Sequence, residues 1–283
     1  MSKADEIRKQ QREYWNAISP GWKKWDAHIM RWFRPIGEKL LEQADLQDGN
    51  QVLDVATGSG EPGLSAAKRV GNGRVIGADS SEDMLSIARE KAQNLGVRNY
   101  ETRQLESVTL PFESNYFDAV TCRFGVMFFP DMLSGVREMV RVLKPQRRLA
   151  VSVWGPQDKR RVATAQTLIK LFDLPRAPEA PTPYRCAERG SITSLLSDSG
   201  LRNVEEAELS GQVKWDSPEQ YWQYERETSP SIAFVIHNIS DEALKKKERE
   251  ILDALSTVKN AKGEITFDWT AWVDSGTKMD EVS

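Results

Sequence analysis

Cysteine and histidine are scarce in this sequence, which has two of each in 283 residues. The cysteines, Cys122 and Cys186, lack CxxC spacing. This argues against a disulfide scaffold or a structural zinc site and fits a reducing compartment. No metal-ligand spacing occurs elsewhere, so we predict no metal. A histidine that acts as a base can therefore only be His28 or His237.

Long apolar runs and an excess of one charge are also missing. No run approaches the roughly 20 apolar residues that cross a bilayer, and the charged start MSKADEIRKQQREYW lacks the apolar segment of a signal peptide. The net charge of −3 gives no field directed towards nucleic acid or an acidic membrane. We therefore expect a soluble, cytoplasmic protein with no stable membrane insertion and no nucleic-acid partner; the oligomeric state stays open.

A strand, a glycine-rich turn and a helix follow one another in QVLDVATGSGEPGLSAA, residues 51–67. The apolar spacing changes there from that of a strand to that of a helix. The motif GxGxxG places Gly58, Gly60 and Gly63 on the turn. Glycines in such a motif permit the turn, the approach of a ligand to the backbone and close packing of helix on strand. About twenty residues later Asp79 closes the next strand, where a ribose-binding acid is expected.

Strands alternate with helices from residue 48 to residue 155, which predicts a mostly parallel sheet with helices on both faces. Ligands of such sheets bind beyond the carboxyl ends of the strands. We predict that Ser80 caps the helix after the second strand. A later helix is predicted to start at Asp131 and to be broken by Lys144-Pro145, before a fifth strand at 149–154. The residues predicted at the carboxyl ends are Asp54, Gly58, Asp79 and Arg123.

Aromatic residues are concentrated in the amino-terminal part of the chain, residues 1–47. A helix over 3–18 is expected to end at Ser19-Pro20-Gly21, a second segment carries Trp22, Trp25, Ile29, Trp32 and Phe33 at helical spacing, and a third helix covers 36–44. His28 lies beside the aromatic stripe. We interpret the segment as a lid over a ligand, although each tryptophan alone fits plain packing.

In the carboxyl-terminal part, residues 156–275, the regular alternation of strands and helices stops. A helical stretch at 160–172 precedes a proline-rich connector at 174–185. The connector is followed by a helix at 191–199, a strand at 204–209, helices that begin at Pro218 and Pro230, a charged helix at 241–255 and a strand at 265–273. We predict a helical cap before the last strand and a flexible tail over 276–283.

Several motifs in order resemble the class I S-adenosylmethionine-dependent methyltransferases, in the branch of the quinone-biosynthesis (UbiE-like) enzymes. They are the acid four residues before the first glycine, GADSSEDML, LPFESNYFDAVTCRFGVMFFPD and EMVRVLKP. The resemblance is strong over 51–154 and weak after 155. It implies a Rossmann-like seven-stranded α/β sheet with its last strand antiparallel, S-adenosyl-L-methionine as cofactor, and transfer of a methyl group to a small, partly apolar acceptor.

The resemblance also implies roles for individual residues. Asp79 would bind the ribose hydroxyls, Asp54 would help organise the amino group, and Met84 would pack on the adenine. Glu106 and Ser107 would meet the adenine edge, where the family usually has Asp-Ala, and Cys122 and Arg123 would lie beside the methionine part. The full candidate set is Tyr14, Asp54, Thr57, Gly58, Ser59, Gly60, Asp79, Ser80, Met84, Glu106, Ser107, Cys122 and Arg123.

The turn after Lys144-Pro145 departs from the family, because Gln146-Arg147 replaces Gly-Gly. A bulky residue is strained at positive φ, so this turn is expected to take another form. For catalysis, His28 on the lid and His237 on the cap are the candidate bases, each with packing as the competing interpretation. Tyr14, Glu225 and Arg123 are further candidates for orienting an acceptor.

Two other functions share these features. A NAD-dependent oxidoreductase has the same glycine loop and ribose acid, although a dinucleotide site generally has a small apolar residue at the position of Asp54. A non-catalytic S-adenosylmethionine-binding module would also retain Gly58, Gly60 and Asp79.

Overall fold

A computed structural model of the chain describes residues 3–106, 109–160, 162, 166, 170, 181–229, 232, 236 and 239–280. Seven strands form one sheet in the order β3-β2-β1-β4-β5-β7-β6. Their bounds are β1 Gln51–Val55, β2 Arg74–Asp79, β3 Tyr100–Gln104, β4 Phe117–Arg123, β5 Leu143–Trp154, β6 Leu201–Trp215 and β7 Ile265–Lys278. The last strand is antiparallel to both of its neighbours, and the pairs among β1 to β5 are parallel. The predicted fold class is confirmed.

Eight α-helices lie within the described part of the chain. They are α1 Lys3–Lys24, α2 Asp26–Gln43, α3 Gly63–Arg69, α4 Glu82–Asn94, α5 Met132–Val142, α6 Ser191–Asp198, α7 Pro218–Thr228 and α8 Asp241–Ser256, with a short 3-10 turn at Val126–Phe128. Among these helices none is both long and apolar enough to cross a membrane. The predicted helix starts at Asp131 and Ser217 are confirmed, because both side chains accept hydrogen bonds from the first turns of α5 and α7.

The amino-terminal helices continue through their prolines, contrary to prediction. Pro20 lies inside α1 and Pro35 lies inside α2, so the three expected segments are two long helices. Ile29 and Ile36 of α2 are fully buried on either side of Pro35, and Gly21 lies against the backbone of Glu227. Burial of a continuous apolar face outweighs the backbone hydrogen bond that a proline removes.

The carboxyl-terminal strands are longer than predicted. β5 begins at Leu143 and includes Lys144-Pro145, and β7 runs to Lys278, so the tail predicted from 276 begins too early. Gln146 has a φ of +60°, so this turn has the left-handed form and the expectation of another form is wrong. The Gln146 amide donates to Asp280 at 2.7 Å. Long-range strand pairing, which a local sequence pattern does not contain, sets these limits.

Candidate functional site

A buried carboxylate braces the turn after β1. Asp54 is fully buried and accepts hydrogen bonds from the Thr57 hydroxyl at 2.6 Å, the Thr121 hydroxyl at 2.7 Å and the Gly63 N–H at 3.0 Å. Burial is the main cause that raises the pKa of Asp54 to about 6. Asp54 therefore holds the loop from behind. Thr57 is likewise buried against it. That Asp54 helps to organise a ligand's amino group stays a prediction.

The glycine loop leaves bare backbone at Gly58, beyond the carboxyl ends of β1 and β2. We call the region beyond these strand ends the crevice. The φ of Gly58 is +53°, and a Cβ built there would meet no atom within 4 Å. Gly60, with φ +102°, instead lies against Leu64 and Ala88, where a side chain would collide. Ser59 between them is buried. The open side of Gly58 is the place where a ligand can approach the loop.

Asp79 lies at the end of β2 beside this open backbone. Its Oδ2 accepts the Gly58 N–H at 2.8 Å and its Oδ1 accepts the Ser81 N–H at 2.9 Å. Burial is the first cause that raises the pKa of Asp79, against the lowering effect of these backbone donors. A carboxylate fixed in this way keeps further lone pairs for hydroxyl groups, so the geometry fits an adenosyl ribose.

The next part of the crevice borders α4. Ser81, rather than the predicted Ser80, caps α4 by accepting the Met84 N–H at 3.1 Å. The Ser81 hydroxyl also donates to Asn16 of α1 at 2.6 Å. Met84 is 2% exposed and packs in one small cluster with Ile18. Helix α1 therefore covers the surface on which Met84 was predicted to meet an adenine.

Glu106, the predicted adenine-edge acid, is held by the same helix. Arg12 donates to its carboxylate at 2.7 Å. Tyr14, half a turn further along α1, is half-buried, and burial raises the pKa of its hydroxyl. Ser107 lies outside the described residues. The amino-terminal helix thus lies across the crevice, as a lid does.

The end of β4 carries Cys122 and Arg123. Cys122 is fully buried in the core, and burial raises the pKa of its thiol. That Cys122 lies beside the methionine part of a cofactor stays a prediction. Arg123 donates to the main-chain oxygen of Glu61 at 2.7 Å, and its guanidinium lies 5.0 Å from the ring centre of Phe33. Its partner in this structure is a backbone carbonyl, and burial lowers the pKa of Arg123.

An aromatic wall begins at the next residue. Phe124 has φ +57°, a strained value for a bulky residue, and stacks on Trp154 of β5 with ring centres 3.9 Å apart. Trp154 stacks in turn on Trp32 of α2 at 5.4 Å. Phe33 contacts both Phe124 and Trp154. The carboxyl ends of β4 and β5 are therefore lined with flat apolar surface under α2.

His28 of α2 lies among other aromatic rings. Its ring lies 5.6 Å from Trp215, 5.7 Å from Trp25 and 5.9 Å from Tyr224. Within the described part of the chain its buried Nε2 has no hydrogen-bond partner. Burial, followed by the charge of Arg31, lowers the pKa of His28, so the imidazole is neutral near neutral pH. His237, the other candidate base, lies outside the described residues.

Three buried indole N–H groups also lack a partner among the residues that the structure describes. They belong to Trp32, Trp215 and Trp269, which are 5%, 0% and 8% exposed. The nine tryptophans are evident in the sequence, but which of them remain unpaired depends on the packing of α2 against β5, β6 and β7. In the same described part no group of three potential metal ligands converges.

Comparison with known proteins places this crevice in a family. The model of the ubiE/COQ5 methyltransferase family matches residues 28–157. The ubiquinone/menaquinone biosynthesis C-methyltransferase UbiE of Enterobacter sp. (strain 638) is 32% identical over 187 residues, which is 61% of this chain and 74% of that protein. The chain belongs to the UbiE/COQ5 methyltransferase family. It is an S-adenosyl-L-methionine-dependent methyltransferase, which decides against the NAD-dependent oxidoreductase.

Two further similarities define how far this UbiE/COQ5 relationship extends. The demethylmenaquinone methyltransferase of Oceanobacillus iheyensis is 41% identical over 106 residues, and the chain spans only 44% of its length. The YcgJ protein of Bacillus subtilis, a solved structure with a TM-score of 0.59, is 23% identical and covers 88% of this chain and all of its own. The second similarity shows the fold alone.

Some buried tryptophans of this UbiE/COQ5 member lie outside the family match. Trp32 and Trp154 fall within residues 28–157, whereas Trp215 and Trp269 do not. Arg12 on the lid is also outside. The sequence pattern did not indicate a place near the site for Arg12, Trp154, Trp215 and Trp269, because their positions follow from how distant elements pack on the sheet.

Proposed function

We propose that the crevice binds S-adenosyl-L-methionine with Asp79 on the ribose hydroxyls and with the backbone at Gly58 against the ribose and methionine parts. The observation that carries this is the Asp79 carboxylate, fixed 2.8 Å from the Gly58 N–H beside backbone that no side chain covers. Charge-assisted hydrogen bonds of this kind are roughly twice as strong as neutral ones. Asp54 contributes by holding the loop in place.

Glu106 is proposed to meet the adenine amino group once Arg12 releases it. Met84 supplies an apolar surface next to it, and α1 closes over both. These contacts exclude water from the adenosyl end. The proposal follows from the position of Glu106 under the lid and from its 2.7 Å contact with Arg12.

For the acceptor, we propose a hydroxylated ring with an apolar body. The relatives are named as ubiquinone/menaquinone C-methyltransferase and demethylmenaquinone methyltransferase. The stacked rings of Phe124, Trp154 and Trp32 support a flat, apolar acceptor, because offset stacking favours aromatic partners.

The bound cofactor supplies a methyl group on a sulfonium for in-line displacement. The chain's own part is to align the two reactants, exclude water and take up a proton. Alignment alone is worth roughly 7–11 kcal/mol in favourable reactions. When an acceptor carbon gains the methyl group, the ring loses one proton. We propose His28, which is neutral and has an unpartnered Nε2, as the base that takes up the proton.

The test combines calorimetry with a labelled-methyl assay. We expect heat with S-adenosylhomocysteine, and transfer of label from S-adenosylmethionine to 1,4-dihydroxynaphthalene kept reduced under anaerobic conditions. Heat without product over a panel of hydroxylated rings, phenols and amines would indicate a binding module that does not turn over. No heat from folded protein would contradict cofactor binding itself.

A further inference from the structure

Two tryptophans with unpartnered indole N–H groups border Trp154 at the carboxyl end of β5. Trp32 stacks on Trp154 at 5.4 Å, and Trp269 lines a small void together with Trp154. Trp154 pairs with Ala271 of β7 in the sheet, so its side chain shares a face with Trp269, two residues away. The nitrogens of Trp32 and Trp269 are buried and have no hydrogen-bond partner within the described residues.

A surface depression adjoins the void that Trp154 and Trp269 line. The depression has a volume of about 480 Å³ and is lined by residues 156–160, Asp268 and Thr270. The void behind it has a volume of about 10 Å³ and shares Pro156, Gln157, Asp268 and Thr270 with the depression. A space of this size holds about one water molecule, so a ring that enters must widen it.

We propose that Trp32 and Trp269 determine acceptor specificity by donating their indole N–H groups to oxygen atoms of the acceptor, which enters through the depression. This inference rests on the proposed function. Trp154, stacked on Phe124 next to the end of β4, supplies the flat surface that leads from the depression towards the reacting end of the crevice.

The chemistry of indole decides what is selected. An indole N–H donates and never accepts. The two groups therefore favour a ligand that presents oxygen lone pairs, and they oppose a protonated amine, whose N–H groups would find no acceptor there. A buried donor without a hydrogen bond is unfavourable, so the free protein carries a penalty that an oxygenated ligand relieves.

Opposite faces of β7 supply a matched control. Trp272 donates its N–H to the Ala187 carbonyl at 2.9 Å, on the face away from Trp269. Trp269→Phe and Trp32→Phe remove unpartnered donors and keep an aromatic ring. Trp272→Phe removes a similar ring volume together with a satisfied hydrogen bond. It should lower the melting temperature at least as much as Trp269→Phe, while leaving the acceptor site intact.

The experiment follows indole N–H signals of ¹⁵N-labelled protein saturated with S-adenosylhomocysteine. The probes are 1,4-dihydroxynaphthalene, kept reduced, and 1,4-diaminonaphthalene at a pH where it carries a proton. We expect the Trp32 and Trp269 signals, assigned from the two variants, to move downfield with the diol only. Each of these variants should weaken diol binding by about 2- to 12-fold, equivalent to the net value of one hydrogen bond, and Trp272→Phe should not.

The inference is overturned if the two signals stay in place, if both variants bind the diol as the wild type does, or if Trp272→Phe weakens binding equally. Those results leave the proposed function standing wherever S-adenosylhomocysteine still gives heat and the diol is still methylated. Loss of the heat in the wild type would overturn both.

Discussion

Asp274 is a carboxylic acid in the middle strand of an antiparallel trio, between β5 and β6. It is fully buried, and only one of its oxygens has a partner within the described chain, the Thr193 hydroxyl at 2.8 Å. Burial is the main cause that raises the pKa of Asp274 to about 7, and Glu206 adds to it. The folded protein therefore keeps this proton at pH values where the unfolded chain has released it.

This residue predicts a pH dependence of stability with a definite sign. The pKa of Asp274 is higher in the folded protein than in the unfolded chain. Its contribution to stability is therefore fully present below the unfolded pKa and is lost as the pH rises towards about 7. Asp274→Asn imitates the protonated acid, so it should raise the melting temperature near pH 8 and change it little near about pH 4. Melting curves of both proteins across this range check the prediction. A difference that stays constant with pH would contradict it.

His28 predicts a separation of turnover from donor binding. If its neutral Nε2 takes up the acceptor proton, His28→Asn should lower kcat by about 10²- to 10⁴-fold. The affinity for S-adenosylhomocysteine should stay unchanged, because the ring lies among Trp25, Trp215 and Tyr224 and not on the glycine loop. Steady-state kinetics and calorimetry measure the two quantities. An unchanged kcat would assign His28 to packing alone.

The glycines of helices α1 and α2, the proposed lid, differ in what surrounds them. A Cβ at Gly21 of α1 would lie 1.9 Å from the Glu227 carbonyl oxygen of α7, whereas a Cβ at Gly37 of α2 would meet its nearest atoms at 3.6 Å. The contact between α1 and α7 therefore requires glycine at position 21, whereas α2 tolerates a methyl group at position 37.

Gly21→Ala should loosen the lid, and Gly37→Ala should not. We expect the first to lower stability by about 1–3 kcal/mol through overpacking, and to speed dissociation of S-adenosylhomocysteine. The second should be neutral or stabilising by up to about 1 kcal/mol, because alanine favours a helix. Denaturant titrations and stopped-flow release measure both effects. Equal behaviour of the two variants would contradict the close contact of α1 with α7.

At the level of elements, the local sequence pattern predicted the helices and strands that local interactions determine. The strand, turn and helix at residues 51–67 were predicted because apolar spacing and glycine are properties of neighbouring residues. The continuation of α1 through Pro20 was missed, since packing of Gly21 on a helix some 200 residues away stabilises it. Asp54 and Cys122 were placed on the correct strands, but the full burial of both side chains depends on neighbouring strands and loops.

At the scale of the whole molecule, β7 joins the early and late parts of the chain into one sheet. Its last residues pair with both neighbours, through Thr277 to Arg148 and Lys278 to Leu201. The Lys278 ammonium also donates to the carbonyl of Leu143 at 2.8 Å and to that of Val140 at 2.9 Å. The end of the chain therefore takes part in the fold.

Truncation tests this closure. Ending the chain after Ser275 removes residues 276–283, which include the paired Gly276–Lys278. The loss should cost roughly 2–4 kcal/mol, given about 1 kcal/mol for each lost hydrogen bond. Ending the chain after Met279 keeps the pairing and is the matched control, expected to be close to the full chain. Urea unfolding of the two forms measures the difference. Equal stability would show that these residues form a tail after all.

The central claim, that the acid at the end of β2 holds the adenosyl part of the cofactor, is tested most directly by calorimetry of S-adenosylhomocysteine binding to Asp79→Asn. The amide keeps an oxygen for the Gly58 N–H but loses the charge, so we predict a Kd weakened by about 10- to 100-fold in a protein with normal unfolding. Asp83→Asn on the exposed side of α4 serves as control and should bind as the wild type does. Binding of Asp79→Asn within about twofold of the wild type would contradict the account.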